Sequence, residues 1–122
     1  MKKNNGFTLL ELMMVVSIIA VLTLIAVPSY TRYMERAACE DGKALLSGAA
    51  NAMERGRAQN NGSYAANTTL PSSTSEFGVA ASGVTATAYT LTATAAGRLS
   101  GTLTLNAANV RGGSLAGTCT WQ

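Results

Sequence analysis

The hydropathy of the chain changes character three times. From Phe7 to Val27 the run FTLLELMMVVSIIAVLTLIAV is apolar with a single charge, Glu11. As a helix rising about 1.5 Å per residue it reaches roughly 31 Å, the thickness of a bilayer's hydrocarbon core. Pro28 follows, and a proline lacks the amide donor and crowds the preceding turn, so loosening or a kink is expected at Ala26 to Pro28. Beyond it, Met34, Ala38, Leu45, Ala49 and Met53 recur at helical spacing, with Cys39, Leu46 and Ala50 alongside. The pattern predicts an amphipathic helix over 31–57 whose stripe packs on a sheet.

Residues 58–88 are rich in Asn, Ser, Thr, Gly and Ala, and Asn60-Asn61-Gly62 and Pro71 are turn signals, so this stretch reads as a surface loop. Strict alternation then sets in. Tyr89, Leu91 and Ala93 alternate with Thr90, Thr92 and Thr94, and Leu99, Gly101, Leu103 and Leu105 with Ser100, Thr102 and Thr104. These are two half-buried strands of an antiparallel hairpin linked by Ala96-Gly97-Arg98, with a turn at Asn109 to Gly113 and a last short strand at Cys119-Thr120-Trp121. The threonine rows are the solvated face.

Composition narrows the chemistry. In 122 residues, one long apolar segment leaves room for a single small domain with a modest core, in which a covalent staple would be useful. The two cysteines, Cys39 and Cys119, are the candidates. There is no histidine, which removes histidine acid/base catalysis, the usual nucleophile arrangements and histidine metal sites. No nucleophile–base pair, phosphate-binding glycine loop or clustered ligand set appears, so no enzyme and no cofactor are expected. The formal charge is +3, of which Lys2 and Lys3 supply two. Asn61-Gly62-Ser63 and Asn67-Thr68-Thr69 match the glycosylation sequon, a pattern common by chance in such sequence, and receive no role.

A secretory signal peptide would share the basic start, but its apolar region is about 7 to 15 residues long. An uncleaved anchor would leave Glu11 as a carboxylate near the start of a membrane span with no partner in the segment. Lys2-Lys3-Asn4-Asn5-Gly6 followed by Phe7-Thr8-Leu9-Leu10-Glu11-Leu12 resembles the class III signal of type IV prepilins. The resemblance implies a leader at 1–6, cleavage by prepilin peptidase between Gly6 and Phe7, and N-methylation of Phe7. It implies a transmembrane and polymerisation helix at 7–30 and a globular headgroup at 31–122, with the sheet over 89–122. It also implies that Glu11 pairs with the free amine of a neighbouring subunit, which fixes axial register because unpaired charges in an apolar bundle are costly. The fold expected is α+β, the type IV pilin fold, a long N-terminal helix on a small antiparallel sheet. Family members carry a proline matching Pro28, with local melting in filaments. Many also have a glycine where this chain has Ala20.

Cytoplasmic processing implies a single-pass inner-membrane protein with a periplasmic carboxyl-terminal domain that later joins the pilus at the cell surface. A Cys39–Cys119 disulfide can persist in that oxidising compartment, unpaired cysteines being the alternative. The helix-to-terminus placement of the cysteines is more similar to small minor pilins of the PilE type than to major pilins. The implied role is a minor pilin supporting pilus biogenesis, twitching motility, adhesion or DNA uptake. Its implied partners are the peptidase, other major and minor pilins, and the inner-membrane assembly platform. A pseudopilin of a type II secretion system shares the N-terminal argument, but no Asp or Glu follows Glu76 to build a calcium site like that of the major pseudopilins. A DNA-receptor pilin would need a basic stripe. From Arg32 to Arg111 seven cationic and five anionic side chains are interspersed, a balance of +2, which points away from nucleic acid.

Overall fold

The computed structural model describes residues 5–122 and divides into two compact units meeting at Met34/Glu35. Met1 to Asn4, which hold the two lysines of the expected leader, lie outside the described residues.

Helix α1 covers Leu9–Gln59. It is assigned helical through Pro28, so the loosening expected there takes no residue out of the helix. Ser17, Thr23 and Thr31 each donate a hydroxyl hydrogen bond to the carbonyl four residues earlier (2.8, 2.7 and 3.1 Å), which keeps these polar groups satisfied inside an apolar surface. At its far end, Gly62 N–H donates to the Arg57 carbonyl at 2.9 Å, with Asn61 and Gly62 at positive φ closing the turn.

The second unit is the headgroup. Its part of α1 buries Ala38, Cys39, Gly42, Leu45, Leu46, Ala49, Ala52 and Met53. The sequence pattern found most of this stripe, but not Gly42 and Ala52. Gly42 is required by Phe77: a Cβ there would come within 2.9 Å of the Phe77 ring, which is fully buried. The sheet is antiparallel in the order β1-β2-β3-β4, with β1 at Phe77–Ser82, β2 at Thr90–Ala95, β3 at Thr102–Asn106 and β4 at Arg111–Gly112. Leu91 pairs with Leu105 and Ala93 with Leu103, and all four face the core while the intervening threonines face outward.

Three expectations are corrected. The sheet starts at Phe77 rather than at 89, so the connection from the helix is shorter than 58–88. The segment FGVAAS gave no strand signal because Gly, Ala and Ser are weak strand formers. It is a strand because Phe77 anchors the core and all six residues pair with β2. Secondly, Arg111–Gly112 form β4 inside the stretch read as a turn. Thirdly, Cys119-Thr120-Trp121 is not a strand. Cys119 N–H donates to the Leu115 carbonyl (2.8 Å) and Trp121 N–H to that of Ala116 (2.7 Å), so the chain coils into the core and Thr120 takes φ 54°.

Candidate assembly and processing site

Gly6, Phe7, Glu11 and Pro28 belong to the first unit, Cys39 and Cys119 to the second. Asn5 to Thr8 are non-helical and exposed, no described residue other than its two chain neighbours comes within 4 Å of the position a Cβ would take on Gly6, and Phe7 is 89% exposed. The helix begins directly after them through a reciprocal pair of hydrogen bonds. Glu11 N–H donates to Thr8 Oγ1 at 3.1 Å, and Thr8 N–H donates to a Glu11 carboxylate oxygen at 3.4 Å. This capping box satisfies two amide groups that a helix start leaves unpaired, and it puts a negative charge where the helix dipole favours one. Glu11 therefore does have a partner within its own segment, contrary to the sequence reading. The signal was present as Thr-x-x-Glu ahead of an apolar run.

Past this cap, α1 contains an 18-residue window of mean hydropathy 2.7, none of it buried. Large apolar side chains from Leu9 to Val27 stay open, from Val15 at 48% to Leu24 at 78%. A helix apolar on all sides and left uncovered among the described residues is built for lipid or for other helices.

In the headgroup, Cys39 and Cys119 are joined in a disulfide (Cα–Cα 5.2 Å) that ties α1 to the terminal coil. Both are buried, at 6% and 4% exposure. Trp121 closes the same corner: its Nε1–H donates to the Thr104 carbonyl at 2.8 Å, and Arg111 stacks 4.4 Å over its ring. Just before β1, Glu76 accepts from the Arg98 backbone N–H (3.1 Å) and Nε–H (3.2 Å), which holds its carboxyl below the ordinary range. Tyr64 donates its hydroxyl to Glu54 at 2.6 Å, which together with burial raises its pKa, and it meets Tyr89 edge-on at 4.8 Å. These are ties within the fold. An open cavity of about 450 Å³ lies between the end of α1 and the following loop, lined by Arg55, Gln59, Asn60, Asn67 and Thr69. Among the described residues no group of three or more His, Cys, Asp or Glu side chains gathers to hold a metal ion.

A capped, uncovered apolar helix running into a disulfide-locked helix-on-sheet headgroup defines a pilin-like subunit. Residues 1–27 match the family profile of the prokaryotic N-terminal methylation motif, and residues 28–109 match that of the type IV minor pilin ComP, a DNA uptake sequence receptor. The chain belongs to the type IV minor pilin family. Similar proteins include prepilin peptidase-dependent protein D of Escherichia coli K12, 51% identical over 41 residues, and the type IV major fimbrial protein FimA of Dichelobacter nodosus, 46% identical over 45. These matches cover 34% and 37% of this chain and 28% of each relative. Among solved structures, the chain is similar to the non-core minor pilin PilV of Neisseria meningitidis (TM-score 0.57, 26% identity, covering 67% of this chain and 88% of that one). The family is one of structural pilus subunits, and the expected α+β pilin fold is observed.

Proposed function

We propose that this chain is a minor pilin, cut between Gly6 and Phe7, N-methylated at Phe7, and assembled through its N-terminal helix, acting as a building block and not as a catalyst. The observation that carries the reading is the uncovered apolar surface of α1, which needs lipid before assembly and neighbouring pilin helices afterwards. In this reading 1–6 is the leader, 7–30 spans the inner membrane, and the headgroup faces the periplasm, where its disulfide persists. The scissile bond lies in exposed, non-helical backbone, the form a peptidase can bind. Glu11 exchanges its weak cap with Thr8 for the amine of a neighbouring subunit, a charge-assisted contact in a drier setting.

The test is mass spectrometry of membranes and sheared surface filaments. N-methylated Phe7 in filaments is the expected result. Confinement of that peptide to membranes would favour a pseudopilin or priming role, and Gly6 still joined to Phe7 in every fraction refutes the reading.

A second reading is favoured by the match to the DNA-receptor family profile over 28–109. Lys43, Arg57 and Arg98 are engaged in ion pairs, whereas Arg55 lines the 450 Å³ cavity among amide and hydroxyl groups and forms no ion pair among the described residues. A DNA contact there predicts that Arg55→Ala weakens duplex binding and lowers its salt slope by about one. Unchanged binding removes this reading and leaves the structural one intact.

A further inference from the structure

Beside the last turns of α1 two tyrosines are buried next to each other, and their hydroxyls differ. Tyr64 spends its hydroxyl on Glu54 at 2.6 Å. Tyr89, 5% exposed and edge-on to Tyr64, has no hydrogen-bond partner for its own among the described residues. No fully enclosed side-chain oxygen or nitrogen lacks a partner there, so the Tyr89 hydroxyl reaches open space. That space is a cavity of about 410 Å³, which Tyr89 lines between the connection from β1 to β2 and the turn after β3. Burial, then the nearby Tyr64 and Glu54, raises the Tyr89 pKa, so the phenol keeps its proton at neutral pH and can both donate and accept.

Three more side chains on the wall have polar groups to spare. The hydroxyls of Thr87 and Thr90 enter no hydrogen bond among the described residues. Asn106 Oδ1 accepts from the Ala108 and Val110 N–H groups at 3.0 and 2.9 Å, which assigns its amide and leaves both Nδ2 protons without a partner among the described residues. The one cation lining the cavity, Arg57, lies 3.9 Å from Glu54 and donates Nε–H to the Gly62 carbonyl at 3.0 Å, so its charge is already offset against a phosphate or carboxylate. A nucleobase would need an open ring face to stack on, but both tyrosines are buried and Arg57 lies 5.2 Å over the Tyr64 ring. Hydroxyl and amide groups converging without net charge match an uncharged ligand that carries hydroxyls around its edge. The volume falls near the low end of the roughly 300 to 1,000 Å³ of small-molecule pockets, room for one ring.

We infer that this cavity binds a single neutral sugar ring, such as the terminal residue of a glycan. The Tyr89 hydroxyl meets it at the floor, and Thr87, Thr90 and Asn106 hydrogen-bond it from the rim. The inference concerns the headgroup alone and stands apart from the membrane and DNA readings above.

The full chain, labelled with nitrogen-15 in phosphocholine detergent micelles, is titrated separately with glucose, galactose, mannose, N-acetylglucosamine and N-acetylgalactosamine while amide shifts are followed by NMR. The expected result is saturable shifts with at least one of these sugars, centred on Thr87 to Thr90 and Asn106 to Ala108, with a Kd on the order of 1 mM. Tyr89→Phe removes only the unpaired oxygen, so it should weaken binding about fivefold and leave the urea midpoint unchanged, and Thr87→Val should weaken binding about threefold. Binding undiminished in Tyr89→Phe, shifts reproduced by glycerol, or no saturable shift at concentrations about fiftyfold above that Kd overturns the inference. Saturation of the same amides by deoxyadenosine and by none of the sugars overturns it in favour of a nucleoside.

Discussion

Removing the disulfide with the double substitution Cys39→Ser/Cys119→Ser tests how the headgroup is held together. The bond joins residues 80 apart in sequence. Releasing a loop of that size returns about 15 cal/mol/K of chain entropy to the unfolded state, or about 4.5 kcal/mol at 25 °C. A domain of about ninety residues has a total stability of roughly 4 to 13 kcal/mol, so the bond supplies a third or more of it. Trp121 is the only tryptophan, is 4% exposed, and lies two residues beyond Cys119, so its fluorescence reports on this corner. With urea slopes of about 1 to 3 kcal/mol/M, the midpoint of the full chain in detergent micelles should fall by roughly 1.5 to 4.5 M, and the slope should rise because the uncrosslinked denatured chain exposes more surface. Since both sulfurs are buried, reductant should act on the native protein only through opening of the domain, and more slowly than on the urea-unfolded chain. A midpoint shift below about 0.5 M would refute the claim that loop closure dominates, and would mean that the terminal coil is held by Trp121 and Leu115 alone.

Gly42→Ala gains about 1 kcal/mol of helix propensity but drives a Cβ to 2.9 Å from the fully buried Phe77 ring, so a net loss of about 1 kcal/mol is expected in thermal melts, recovered by adding Phe77→Leu. Trp121→Phe strands the Thr104 carbonyl and should cost about 1 to 3 kcal/mol in urea midpoint; an unchanged midpoint would mean that water replaces the indole. Thr8→Ala should cost the helix start about 1 kcal/mol, seen as faster amide exchange at Leu10 and Glu11, with Thr8→Ser close to wild type. The Glu76 carboxyl titrates below its ordinary value because Arg98 donates to its charged form. Its contribution is therefore complete above about pH 4.5 and lost as pH falls through the lower folded value; Glu76→Gln should flatten the acid limb of the stability curve and leave pH 6 to 8 unchanged. Tyr64 runs the opposite way: its raised pKa, set first by the hydrogen bond to Glu54, gives stability present below pH 10 and lost as pH rises further, so Glu54→Gln should lower its alkaline spectrophotometric midpoint.

Much of this architecture could be read from one dimension. The apolar run from Phe7 to Val27 is legible by its length, and the helical stripe ending at Met53 and the Leu/Thr alternation in β2 and β3 are periodic patterns, each period corresponding to a single backbone geometry. The capping box was equally legible as Thr8 and Glu11 at the start of that run, because its hydrogen bonds are local. What stayed hidden depends on residues distant in sequence. FGVAAS is a strand because β2 offers it a paired edge and Phe77 finds a helix with glycine at position 42, and neither condition leaves a mark in six small residues. Cys119 to Trp121 coil because a disulfide to Cys39 and an indole bond to Thr104 draw them into the core against any local preference. Composition showed that two cysteines were available to pair, but the 5.2 Å between their Cα atoms is set by how α1 packs on the sheet, since local periodicity carries no information about the distance between elements.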